Sequence, residues 1–99
     1  MKNRKYKSKS FYKPNEIRTN KAGDKTWFEN GVVHRVGLPA IVFADGSKDW
    51  IEHGDFHNVS GPARTFAKNN GKAWFIRGEQ LTEAQFNARV YEAFTYEHQ

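Results

Sequence analysis

Ninety-nine residues, 37% hydrophobic and 15% aromatic, suit one small domain whose core comes from few but large side chains, each burying roughly 150–250 Å². The absence of cysteine excludes a disulfide framework or a thiolate metal site. No apolar run approaches the roughly 18 residues that cross a bilayer, so no membrane span is expected. The net charge of +5 is unevenly placed, because six cations stand in the first thirteen residues.

Residues 1–13 form a basic arm without an acidic residue. No apolar stretch follows its charges, so it does not read as a secretory signal. Lys2, Arg4, Lys5, Lys7, Lys9 and Lys13 can neutralise phosphates, and the interleaved Tyr6, Phe11 and Tyr12 can stack on exposed bases. These nine residues are the candidate nucleic-acid contacts. A solubilising tail is the competing reading. Anionic membranes suit the arm less well, since it has no amphipathic helical stripe.

Residues 14–81 contain three tandem units, about 14–38, 39–61 and 62–81. Trp27, Trp50 and Trp74 mark them; each is followed four residues later by Gly31, Gly54 or Gly78, and then by His34, His57 or Leu81. Gly23, Gly46 and Gly71 precede the tryptophans, and Pro14, Pro39 and Pro62 occur once per unit, the last two followed by Ala40 and Ala63. A fixed period of this length signals stacked supersecondary units.

In the middle unit, Pro39 opens an apolar β-branched run through Phe43, as a strand start tolerates. Asp45-Gly46 suggests a hairpin with a tight primed turn, Lys48–Glu52 returns as a strand, His53-Gly54 turns again, and Asp55–His57 adds a short strand. The fold expected is mainly β: a single antiparallel meander sheet of tandem hairpin repeats, with seven to nine short strands. Alternation places each tryptophan opposite its successor, so Phe28, Ile51 and Phe75 line the other face and are the candidate partner-binding residues.

Residues 82–99 supply a C-terminal capping helix, over roughly 83–96. Thr82-Glu83-Ala84-Gln85 matches a capping box, Leu81 and Phe86 suit a hydrophobic staple, and Phe86, Val90, Ala93 and Phe94 form a stripe for docking on the sheet.

The run Trp27-Phe28-Glu29-Asn30-Gly31-Val32-Val33-His34-Arg35, together with Gly61-Pro62-Ala63, resembles the variant form of the MORN-type repeat, found in small phage and bacterial proteins. Leu38, Asn58 and Leu81 depart from that pattern, in which Gly, Arg and His stand respectively. The resemblance implies an elongated sheet of hairpins used for binding, and it carries no catalytic residues.

The histidines could serve as general bases or metal ligands, and a nuclease-like set of His34 and His57 with Asp45 or Asp55 is conceivable. However, only His53 and His57 lie close in sequence, and recurrence of His34 and His57 at one repeat position marks them as parts of the scaffold, which fix turns while tryptophan packs on a neighbouring Pro-Ala. No phosphate-cradling glycine loop or nucleophile elbow is present. No catalytic residue, metal or cofactor is therefore expected. The function expected is a non-enzymatic, cytoplasmic binding protein, a phage or bacterial accessory factor. Its sheet would hold a host protein, while the arm contacts nucleic acid or a nucleoprotein machine. An inhibitor or antitoxin acting on a host enzyme through the aromatic face is the alternative, and exposed sheet edges admit a homodimer.

Overall fold

The computed structural model describes residues 16–97, and side-chain surroundings as far as residue 93. The described residues form ten strands and one helix: β1 Glu16–Thr19, β2 Lys25–Glu29, β3 Val32–Val33, β4 Ile41–Val42, β5 Lys48–Asp49, β6 Ile51–Glu52, β7 Asp55–Phe56, β8 Arg64–Phe66, β9 Gly71–Ile76, β10 Glu79–Leu81 and α1 Glu83–Glu97. Every pairing is antiparallel. Eight strands form a sheet ordered β1-β2-β4-β5-β8-β9-β10, with β3 also on β2, while β6 and β7 make a separate two-stranded ladder. The expected mainly β meander with a C-terminal helix is what the chain adopts.

The ladder divides at Trp27 and at Trp50. Trp27 N–H donates to the Ala40 carbonyl of the next unit, whereas its carbonyl accepts from His34 N–H within its own hairpin; Trp50 repeats this with Ala63 and His57. Each unit is therefore joined to the next through one half of its long strand and closes on itself through the other. Further bonds, Arg35 N–H to Ile51 O and Gly54 N–H to Val33 O, then Asn58 N–H to Phe75 O and Gly78 N–H to Phe56 O, tie consecutive hairpin ends together.

Two kinds of turn alternate along the chain. At Asn30-Gly31, His53-Gly54 and Arg77-Gly78 both residues have positive φ, the primed hairpin form that matches strand twist. Asp45-Gly46 differs from expectation. Gly46 N–H bonds the Phe43 carbonyl and only Gly46 has positive φ, as in a type I turn closed by a glycine bulge. Asp45 Oδ1 instead accepts Ser47 N–H at 2.8 Å.

Asparagine accepts the left-handed conformation better than arginine does. Arg77→Asn should therefore raise stability by about 0.5–1 kcal/mol, read as a higher urea midpoint with unchanged slope.

The spacing of Trp and Ala follows from the register. Ile17 faces Trp27 and Leu81 faces Trp74. Stepping one residue on from Thr26↔Ile41, Ile41↔Asp49, Asp49↔Arg64 and Arg64↔Ala73 sets Ala40 between Trp27 and Trp50, and Ala63 between Trp50 and Trp74. One row thus reads Ile17, Trp27, Ala40, Trp50, Ala63, Trp74, Leu81. Both alanines are 0% exposed, because a methyl group is what fits between two indoles one strand away on either side.

The opposite face is also packed. Ile51 is only 6% exposed and Asp49 4%; Ile51 lies opposite Phe56, whose ring meets Phe75 at 4.9 Å. Arg64 spans this side, its Nε 3.0 Å from Asp49 Oδ1 and its guanidinium over Phe56 and Phe66.

The helix starts as its capping box requires. Thr82 Oγ1 accepts Gln85 N–H at 3.1 Å, and Gln85 Oε1 accepts Thr82 N–H at 2.8 Å. Leu81 and Phe86 are both buried, forming the staple. The expected docking stripe is shorter than its periodicity suggests: Val90 is half-buried, Ala93 is exposed, and Phe94's side chain lies outside the described residues. Among the described residues no helix is long and apolar enough to cross a membrane.

Candidate functional site

His34, His53 and His57 lie along the hairpin ends, where the structure brings together groups far apart in sequence. His34 Nδ1 accepts the backbone N–H of His53 at 2.8 Å, and His57 Nδ1 accepts that of Arg77 at 2.9 Å. In each case the histidine of one unit holds the positive-φ turn residue of the next. An accepting Nδ1 leaves the proton on Nε2, which in His34 faces Glu29 Oε1 at 3.3 Å.

His34 and His53 rings are 4.4 Å apart, a proximity across the unit boundary that sequence distance hides. Two shallow recesses follow, one lined by Glu29, Asn30, Val32, His34 and His53, the other by Glu52, His53, Asp55, His57 and Arg77. They occupy the same position in successive units.

This arrangement explains the departures from the repeat pattern. No fourth unit offers an N–H to Leu81, so a histidine there would have no turn to hold, and leucine packs beneath the helix instead. Asn58 replaces Arg35 yet does the same work: Arg35 Nη1 donates to the Pro39 carbonyl and Asn58 Nδ2 to the Pro62 carbonyl. Arg35 also stacks on Trp27, its guanidinium 4.0 Å from the ring centroid.

Because each Nδ1 bond holds a neighbouring unit, His34→Ala should cost about 2 kcal/mol through the orphaned N–H of His53 and lost packing. The check is a denaturant titration, and an unchanged midpoint would mean that the bond does not tie the units.

Asp24 and Ser47 make an analogous tie on the other margin. Ala44 N–H donates to Asp24 Oδ1, and Ala67 N–H to Ser47 Oγ. The Ala44 N–H, followed by the Asn20 side-chain amide, holds the Asp24 carboxyl below its ordinary value.

One exposed apolar patch is on the tryptophan side. Ile17, Trp27, Arg35 and Val36 border one recess with Glu29 and His34, and Ile17 is 54% and Val36 68% exposed. Leu38 and Val59 are exposed as well, and Val59 stands where Val36 does in the preceding unit. These valines sit in the loops that leave the sheet after each histidine. At the third unit α1 begins at the corresponding position, so the exposed loop valine recurs only in the first two units. The signal for these residues was an apolar side chain two positions after each repeat histidine, within a loop.

Of the three expected partner residues, Ile51 is core, while Phe28 and Phe75 are half-buried. Phe28 lies beneath the Arg18 guanidinium at 4.2 Å. The tight packing on that face leaves little apolar area for a partner.

The nine arm residues lie outside the described residues. Asp45 is engaged in its turn, and His34 and His57 stand in separate recesses, so the conceivable nuclease set is not gathered at one point. Among the described residues no three His, Asp or Glu side chains are grouped to hold a metal ion. No protein-family model matches this chain, and neither the curated proteins nor the solved structures contain a match.

Proposed function

We propose that this chain is a non-enzymatic, MORN-like binding protein, a phage or bacterial accessory factor of the cytoplasm. It docks a host protein on the tryptophan side of the sheet, and its basic arm contacts nucleic acid or a nucleoprotein machine. The observation that carries this reading is the exposed apolar pair Ile17 and Val36 beside Trp27, with Val59 exposed at the position of Val36 in the next unit. The histidines support it too, since each Nδ1 in a repeat position is occupied by a backbone N–H.

The test compares proteins captured from bacterial lysate by the full chain with those captured by a Val36→Asp/Val59→Asp variant. Both sites are exposed, so the variant should keep its fold by circular dichroism. A partner retained after nuclease treatment by the wild type and lost by the variant is the expected result. Captured proteins that are indifferent to the variant but lost with nuclease would remove the sheet from the reading.

A further inference from the structure

The charge balance of the repeats conceals an ordered feature. Beyond the arm, ten Lys or Arg face eleven Asp or Glu, which suggests no cationic surface. Folding nevertheless aligns Lys25, Lys48 and Lys72. They stand two residues before Trp27, Trp50 and Trp74, and so on the same face.

The register makes them a single line across the sheet: Thr19↔Lys25, Lys25↔Val42, Val42↔Lys48, Lys48↔Thr65 and Thr65↔Lys72. All three are exposed, and among the described residues none enters an ion pair. Successive lysines are two strands apart, about 9.5 Å, and the tryptophan row runs parallel to them about 6.6 Å away along the strands. Val42 separates the first two lysines and Thr65 the last two, with Thr19 at the outer edge.

The nearby turns add Lys21 and Lys68. The acids on that margin are Asp24 and Asp45, whose carboxylates are taken up by Ala44 N–H and Asn20, and by Ser47 N–H. At the third unit Lys72 and Trp74 border one recess, together with Glu83.

We infer that the lysine row is a second nucleic-acid site: it carries the phosphates of a single strand running across the β-strands, with unpaired bases turned toward the tryptophan row. A line of cations beside a line of aromatic rings is the general arrangement for single strands. A duplex turns its base faces inward and would leave the tryptophans unused. An acidic peptide would be served by the charges but not by the aromatic row. This site is independent of the arm, although both concern the same class of ligand.

The experiment measures binding of a fluorescent oligo(dT) by anisotropy across salt concentrations, using the full chain. Lys25→Gln/Lys48→Gln/Lys72→Gln should weaken binding about tenfold at low salt and flatten the salt slope by roughly 2, as expected for three lost phosphate contacts on a single strand. Arg18→Gln/Arg77→Gln/Arg89→Gln removes the same charge elsewhere and should leave the slope unchanged. Equal losses from both triples would overturn the site, since net charge alone would then explain them.

A third protein, with the six arm cations changed to Gln, separates the two readings. If it loses all binding while the lysine-row variant loses none, the sheet site falls and the arm stands. If it binds normally while the lysine-row variant does not, the arm reading falls and the sheet site stands. Equal affinity for a duplex, or equal displacement by polyglutamate, would overturn the single-strand assignment.

Discussion

Ala63→Leu is expected to destabilise the protein by about 3 kcal/mol, at the upper end of ordinary overpacking. The residue is 0% exposed, and the register sets it directly between Trp50 and Trp74. Three additional carbons there must displace one indole or spread the strands, and the strands are held by Trp50 N–H to Ala63 O and Ala63 N–H to Ala73 O. Ala40→Leu, between Trp27 and Trp50, should cost a similar amount. Ala84→Leu, exposed on α1, is the control and should stay within about 0.5 kcal/mol of wild type. With total stability of roughly 4–12 kcal/mol for a domain of this size, either core variant would keep only about 1–9 kcal/mol. Urea titration settles the matter; a wild-type midpoint for Ala63→Leu would show that the Trp–Ala row is not close-packed.

Arg64→Met should be comparably costly, about 3 kcal/mol, for a different reason. Asp49 is 4% exposed, and Arg64 is the cation beside it. Methionine keeps much of the stem that covers Phe56 and Phe66 but leaves a buried carboxylate without its partner, which costs several kcal/mol in enclosed pairs. The Arg64 side chain is about one-third exposed, which moderates the figure. The discriminating measurement is the double variant. Asp49→Asn/Arg64→Met removes charge from both members and should be more stable than Arg64→Met alone, because a neutral amide is easier to bury than an unpaired charge. Additive losses would show that Arg64 acts through packing and not through Asp49.

Much of the architecture was legible because local chemistry and repeat spacing agree. Asn30-Gly31 allows little besides a primed hairpin turn, and the Thr82–Gln85 capping box marks the start of the helix. The period of 23 and then 24 residues also contains its own irregularity. The third unit carries an extra residue in the turn before Gly71, where Asn69 Oδ1 accepts Gly71 N–H as Asp45 Oδ1 accepts Ser47 N–H in the second. The candidate site was less legible. Phe28, Ile51 and Phe75 alternate correctly with the tryptophans, yet alternation says only that two faces differ. It does not say which one is filled. Ile51 became core because Phe56 and Phe75 arrive from two other strands.

The amino-acid sequence by itself determined the repeat, the places of its turns, the strand character of each unit and the terminating helix, since these depend on φ preferences, capping and periodicity within a few residues. Tertiary structure alone decided that alanine stands between tryptophans, that His34 holds a turn belonging to the next unit, that one exposed apolar patch is on the tryptophan side, and that Lys25, Lys48 and Lys72 share one line. Each of these depends on which strand lies beside which and in what register. Register is a property of cross-strand hydrogen bonds and the packing of both faces, so it exists only once the whole sheet has formed.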